Sequence, residues 1–218
     1  MLTGELTLRV HDLILLSSAA TARVAEDAIC WAQPWVADVL NDHPWVVVRR
    51  VTSDRPEDIA VGVRGPQREQ RWAAQIPREE VLGVISPEGI TATGSTYPDK
   101  PAFRALECIE AHGLDAAFGP GGSVGFELAT GKTAVRDSSD LDLVVQASEP
   151  LTDDDILTID ATVTAASVHA RVDVLIETPF GAVAFAELRR AVGLNPRPAM
   201  VLRTPQGPRL VTDPWEEP

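Results

Sequence analysis

The chain has 218 residues, 44% of them hydrophobic and 23% charged, which suits one large domain or two small ones with a core that needs no staples. Its 32 acidic residues outnumber 19 basic ones and leave a formal net charge of -13. Such a surface disfavours broad binding to nucleic acid or to an anionic membrane, while a local basic pocket for one phosphorylated small molecule stays open. The two cysteines, Cys30 and Cys108, show no pairing pattern and no C-x-x-C spacing, and read as buried small hydrophobes in a reduced compartment. The apolar run Leu13-Ile14-Leu15-Leu16 is too short for a signal h-region, and no stretch approaches the ~20 apolar residues of a membrane span, so a cytoplasmic location is expected.

In chain order, residues 21–40 carry apolar residues at helical spacing, with Pro34 as a break or kink. Residues 45–51 read as a strand closed by the turn 52–56, and residues 59–63 as a second strand. Gly65-Pro66 interrupts, and helix-forming residues follow over 67–75. Residues 81–85 suit a helix end or short strand. Residues 90–101, with Gly94, Ser95, Pro98 and Pro101, suit a linker, and a domain boundary is expected between 92 and 93. Beyond it come an amphipathic helix over 102–112 capped by Gly113, a glycine-rich loop over 118–125 and one or two helical turns over 126–131. A strand is predicted over 141–146, and a helix over 152–164 with Thr152 as N-cap and Asp155 completing a capping box. A strand over 168–176, a helix over 182–192 and a proline-rich, mostly irregular tail with one strand at 200–203 complete the pattern, which is α+β or α/β.

The densest chemistry is in Ser139-Asp140-Leu141-Asp142-Leu143-Val144-Val145. On a strand Asp140 and Asp142 share a face, their Cα atoms roughly 6.5–7 Å apart, while Leu141, Leu143 and Val145 face the core. Two carboxylates on one face repel unless a cation lies between them, and hard oxygen donors suit Mg²⁺. Arg171-Val172-Asp173-Val174-Leu175-Ile176 places a costly Asp in an apolar strand. If that strand pairs beside the first, Asp173 lies about 5 Å away across the ladder. Three carboxylates can then hold two Mg²⁺ for in-line phosphoryl displacement; alone, Asp173 is equally a partner for Arg171. Phe118-Gly119-Pro120-Gly121-Gly122-Ser123-Val124-Gly125 lets backbone N–H groups approach a phosphate, with Ser123 adding a hydroxyl, although it is neither a Walker A loop nor G-x-G-x-x-G. Singly, each motif is more often a turn or a solvated strand edge; in this order they resemble the nucleotidyltransferase superfamily.

A narrower resemblance runs through Gly121-Gly122-Ser123-Val124-Gly125-Phe126-Glu127-Leu128-Ala129-Thr130-Gly131, then Ser139-Asp140-Leu141-Asp142-Leu143. With Arg9-Val10-His11-Asp12-Leu13, Ile59-Ala60-Val61-Gly62-Val63-Arg64-Gly65, Arg68 and Gln70-Arg71, these stretches resemble the malonate decarboxylase holo-acyl-carrier-protein synthases, the phosphoribosyl-dephospho-CoA transferases. The resemblance covers nearly the whole chain up to about Arg203. It implies an α+β protein, with an N-terminal substrate- and carrier-binding domain over 1–92 and a nucleotidyltransferase-like catalytic domain with a mixed sheet over 93–218. It also implies transfer of the prosthetic group from 2'-(5''-triphosphoribosyl)-3'-dephospho-CoA to a serine of the malonate decarboxylase acyl carrier protein, with pyrophosphate leaving. The implied Mg²⁺ ligands are Asp140 and Asp142, with Asp173 as third carboxylate or base, and Gly121, Gly122 and Ser123 hold phosphates. Lys132 and Arg136, in the stretch before Asp140, can reach phosphate oxygens or be ordinary loop charges.

Residues 45–78 hold seven arginines against four acids, net +3 in a chain of net -13. Arg64, Arg68 and Arg71 are spaced for one helix face, although Gly65-Pro66 separates Arg64 from such a helix. Arginine forks suit phosphate, and a basic patch suits docking of an acidic carrier. His11, His43, His112 and His169 lack metal-ligand spacing; His169 would share a strand face with Asp173. The tryptophans read as mostly core. Competing readings are a nucleotidyltransferase for a small molecule or another lyase's carrier, and a non-catalytic nucleotide- or carrier-binding relative.

Overall fold

The computed structural model describes residues 7–53, 55–67, 69–92 and 99–218. The chain divides into two compact units, Met1–Ser86 and Pro87–Pro218. Both mix helices with sheet, so the class is α+β. Among the described residues, no helix is long and apolar enough to cross a membrane.

The N-terminal unit begins with β1 (Leu13–Leu16), α1 (Ser18–Cys30), α2 (Trp35–Asp42) and β2 (Trp45–Val48). It continues with β3 (Asp58–Arg64), β4 (Arg71–Pro77) and β5 (Val81–Ile85). The apolar run that is too short for a signal segment is thus a strand. The Ser17 hydroxyl caps α1 by accepting the Ala20 N–H at 3.1 Å. Val24, Ala20 and Ala28 recur at helical spacing and bury one face. The expected break near Pro34 separates α1 from α2. The five strands order as β4-β3-β2-β1-β5, all antiparallel. Ile14, Leu16, Val46, Ile59, Val61, Val63 and Ile76 form the core with the buried faces of α1 and α2.

The helix expected over 67–75 is a strand. Trp72, Ala74 and Ile76 pack toward the core while Arg71, Ala73 and Gln75 face out. That period of two prevails over the helix propensity of the polar residues between them. Two side-chain expectations also change: Trp31 is 70% exposed, and Cys30 is exposed while Cys108 is half-buried.

The C-terminal unit runs α3 (Pro101–His112), β6 (Phe118–Pro120), α4 (Gly122–Thr130), β7 (Leu141–Gln146) and α5 (Asp153–Ala166). It then runs β8 (Val172–Thr178), β9 (Gly181–Ala184), α6 (Phe185–Ala191), β10 (Met200–Thr204) and β11 (Gly207–Val211). The strand order is β11-β10-β9-β8-β7-β6. Only β7 and β8 run parallel, joined through α5, so the sheet is mixed. Leu141, Leu143, Val145 and Ile176 meet Leu106, Ile109, Ile156, Ile159 and Leu188 in the core. Trp215 closes it, its indole N–H donating to the Ala147 carbonyl at 2.8 Å.

Thr152 and Asp155 form the expected capping box at the start of α5. Several boundaries differ from the sequence reading. The loop expected over 118–125 holds β6, and α4 starts at Gly122 rather than 126. The strand expected from 168 starts at Val172, because a turn follows α5 and holds His169, whose N–H donates to the Ala166 carbonyl. The helix expected over 182–192 opens as β9, which folds back on β8 through a tight turn before α6 begins. The tail is a hairpin rather than irregular; Pro208, lacking an N–H, sits on the edge strand β11 where one is dispensable.

Candidate active site at the start of the parallel strands

The parallel register sets Leu141 beside Val172 and Asp142 beside Asp173. Leu141 and Leu143 are buried in the core, so alternation turns Asp142 outward, and it is exposed. Asp173 stands in the same way between Val172 and Val174, its side chain 47% exposed. Asp140 immediately precedes β7 and is 40% exposed.

Two elements converge on this acidic pair. The first is the glycine-rich entry to α4. Gly121 donates its N–H to the Asp142 carbonyl at 2.8 Å, tying the helix start to β7. Gly122 follows at φ 56°, and a Cβ there would fall on the Asp142 carboxylate, so only glycine fits both the dihedral and the space. A Cβ on Gly125 would likewise meet the Pro120 carbonyl. Ser123 is buried just behind. A helix N-terminus carries a partial positive charge of about +0.5, which favours anions beside it, Asp142 included.

The second element is Arg171, the residue before β8. Its carbonyl accepts the Leu141 N–H at 2.9 Å, holding its backbone against the start of β7. Its guanidinium bridges two of the three carboxylates, with Nη2 2.8 Å from Asp173 Oδ1 and Nη1 4.0 Å from Asp140 Oδ2.

Asp140 is reached through residues 131–139, a stretch fixed from below by a buried carboxylate. Glu127, on α4 and 5% exposed, accepts the Ala134 and Val135 N–H groups at 2.7 and 2.6 Å through Oε2. Its other oxygen lies 3.3 Å from Lys100 Nζ, which also donates to the Val135 carbonyl at 2.7 Å. Removing either charge would leave the other buried and uncompensated, a loss of about 3–5 kcal/mol. One buried cluster therefore fixes α4, the loop and the approach to Asp140 together. In the sequence Glu127 is one residue of the Gly121–Gly131 stretch and Lys100 carries no motif; the local signal for Glu127 is its place between the apolar Phe126 and Leu128.

Of the predicted site residues, Asp140, Asp142, Asp173, Gly121, Gly122 and Ser123 thus lie at the starts of β7, β8 and α4, with Asp142 beside Asp173 and against Gly121 and Gly122. Lys132 and Arg136 lie in the loop before Asp140, where the Arg136 N–H donates to Ser139 Oγ at 2.9 Å. Arg64 and Arg71 belong to the other unit and oppose each other across β3 and β4 instead of lining a helix. Arg68 falls outside the described residues.

Among the described residues, no group of three or more His, Cys, Asp or Glu side chains stands close enough to hold a metal ion by itself. The arrangement offers two facing carboxylates and a third, Asp140, 4.0 Å from Arg171 Nη1. That donor set fits Mg²⁺, which binds through one or two carboxylates and completes its shell with water and substrate phosphates.

Comparison with known proteins agrees with this division of the chain. Residues 9–87 match the family described as the phosphoribosyl-dephospho-CoA transferase MdcG N-terminal domain, and residues 91–214 match its C-terminal domain. A protein of Pseudomonas syringae pv. tomato named phosphoribosyl-dephospho-CoA transferase is 38% identical over 218 residues, 99% of this chain and 97% of the relative. Proteins of the same name from Pseudomonas aeruginosa and Klebsiella pneumoniae strain 342 are each 36% identical. The first covers 94% of this chain and 92% of its own; the second covers 96% and 97%. No solved structure matches the chain.

Proposed function

The chain belongs to the phosphoribosyl-dephospho-CoA transferase family of enzymes, and we propose that it performs that transfer onto the acyl carrier protein of malonate decarboxylase. The donor is 2'-(5''-triphosphoribosyl)-3'-dephospho-CoA. A serine oxygen of the carrier attacks the phosphorus next to the ribose, the bond to the bridging oxygen breaks, and pyrophosphate leaves with that electron pair. The product is a phosphodiester. The observation that best supports this chemistry is the register that sets Asp142 beside Asp173 with the glycine entry of α4 against Asp142.

Asp140, Asp142 and Asp173 are the residues that would hold Mg²⁺. When bound, it neutralises charge on the triphosphate and on the leaving pyrophosphate. Asp173 either joins the metal ligands or takes the proton of the incoming serine hydroxyl as a base. Gly121, Gly122 and Ser123 orient the leaving phosphates, and Lys132 and Arg136 approach them from the loop. Arg64 and Arg71 supply positive charge for the donor's phosphates or for an acidic carrier, as does Arg68.

The test is the intact mass of the malonate decarboxylase carrier subunit after incubation with the protein, Mg²⁺ and donor, with and without EDTA. The expected result is an EDTA-sensitive gain equal to the donor minus pyrophosphate, lost when the acceptor serine becomes alanine. No gain from folded protein that binds Mg²⁺ would exclude this acceptor and redirect the search to other carriers and to small molecules.

A further inference from the structure

Asp142 and Asp173 are aimed by the strands that carry them, whereas Asp140 precedes β7 and its carboxylate has one loose contact among the described residues, 4.0 Å from Arg171 Nη1. We propose that Glu127 is a positioning residue for the transfer: through the backbone of Ala134 and Val135 it sets the turn that presents Arg136 and Asp140. The proposal rests on the reading of Asp140 as part of the reacting site and adds to it the buried group that holds Asp140 in place.

With so little contact at its side chain, Asp140 is directed by the backbone on either side. After it, the Leu141 N–H donates to the Arg171 carbonyl at 2.9 Å. Before it, the Ser139 N–H donates to the Arg136 carbonyl, and the Arg136 N–H to Ser139 Oγ, both at 2.9 Å. This turn over 136–139 leaves Val135, whose peptide groups are held on both sides. Its N–H donates to Glu127 Oε2 at 2.6 Å, and its carbonyl accepts from Lys100 Nζ at 2.7 Å. The same Glu127 oxygen accepts the Ala134 N–H at 2.7 Å. Lys100 is fixed in turn at the start of α3, its ammonium 5.8 Å from the centroid of the Phe103 ring.

Glu127 and Lys100 lie 3.3 Å apart with side chains 5% and 14% exposed. A buried ion pair is often no more stabilising than a well-packed apolar pair of the same volume, so stability alone does not account for this one. Its particular output is geometric: an apolar pair cannot hold two N–H groups and a carbonyl of the loop. α4 thereby sets both aspartates of the β7 segment. Its first residue, Gly122, lies against the Asp142 carboxylate, and Glu127 acts through the loop on Asp140.

The test compares transfer to the carrier by two double variants of the full chain, each free of an unpaired buried charge. Glu127→Gln with Lys100→Met keeps an oxygen for the Ala134 and Val135 N–H groups; Glu127→Leu with Lys100→Met removes it. The expected result is a kcat within about threefold of wild type for the first and about 10²-fold lower for the second, with KM for the carrier unchanged in both. Equal kcat in the two overturns the proposal, as does a loss confined to KM. If the leucine variant does not fold, Ser139→Ala reads the same ties from their other end: kcat should fall about fivefold at an unchanged melting temperature, and an unchanged kcat overturns the proposal. Asp140→Asn separates this failure from failure of the site. If that variant is inactive while the double variants agree, only the role of Glu127 is lost. If it turns over like wild type, or if folded wild type performs no transfer, the reading of the site falls and the proposal with it.

Discussion

Each unit of the chain sets two like charges opposite one another across a strand pair. Arg64 faces Arg71 across antiparallel β3 and β4, and Asp142 faces Asp173 across parallel β7 and β8. Like charges directly opposite are unfavourable, so each pair needs a reason to persist, and the two settings differ. β4 is an edge strand, and Arg71 is exposed and leans on the neighbouring Gln70 carbonyl, 3.3 Å from Nη1. Long arginine stems there can splay into water. β7 and β8 are interior strands, and aspartate is too short to splay. Gly122 also crowds Asp142, and Arg171 holds Asp173. A basic pair with room to relax suits tuning of an encounter, whereas the acidic pair is where the proposed cation would sit.

The largest effect expected from this contrast is at the acidic pair. Asp142→Asn or Asp173→Asn should lower kcat by about 10³-fold, while the melting temperature stays level or rises as the repulsion is relieved. Turnover near that of wild type from either variant would break the assignment of chemistry to β7 and β8.

Gly122→Ala comes next. Its methyl group competes with the Asp142 carboxylate for the same space, and φ 56° disfavours any side chain. A stability loss of about 1–2 kcal/mol and an activity loss of about 10²-fold are expected, read from denaturant midpoints and initial rates. A variant with normal rates would show that the glycine entry and the carboxylate need not touch.

At the basic pair the effect should be smaller and of a different kind. Arg71→Ala should raise KM for donor or carrier by about threefold at low ionic strength, leave kcat unchanged, and lose its effect as salt rises. If KM does not move at low salt, the pair is ordinary solvated surface and the contrast between the units loses its functional half.

The smallest effect serves as a control that belongs to neither pair. Hydrogen bonds from Thr152 hold the Asp155 carboxyl below the ordinary carboxylate range. A lowered folded-state value contributes stability above the unfolded value, and that contribution fades as pH falls through the folded one. Thr152→Ala should therefore lower the melting temperature at neutral pH and by less in acid, where only the lost N-cap bond to the Asp155 N–H remains, with kcat untouched. A kcat change in that variant would mean that α5 communicates with the site.

Much of the C-terminal unit was readable because its signals are local. The alternation of Asp140 and Asp142 with Leu141 and Leu143 predicts β7 with the bounds it has, and the Thr152–Asp155 spacing predicts the cap of α5. Gly121-Gly122 signals a close approach, although only the folded chain reveals that the approaching group is the Asp142 carboxylate. What the sequence withheld depends on partners distant in the chain. Nothing local tells that β8 lies parallel to β7 in the register that sets Asp173 beside Asp142. The same holds for Glu127, whose ties run to Lys100 and to residues 134 and 135. β4 differs for a related reason: the glutamines, arginines and alanines of residues 67–75 favour a helix locally, and pairing with β3 overrides them. Once that strand is in place, Arg64 and Arg71 become neighbours by pairing rather than by helical spacing.

The most direct test of the central claim is a crystal of this protein soaked with Mn²⁺ and inorganic triphosphate, with the metal located by its anomalous scattering. The account predicts a Mn²⁺ peak bounded by Asp140, Asp142 and Asp173, with the triphosphate against Gly121 and Gly122. A peak elsewhere, or triphosphate held by Arg64 and Arg71 while the carboxylates of β7 and β8 bind nothing, would contradict it.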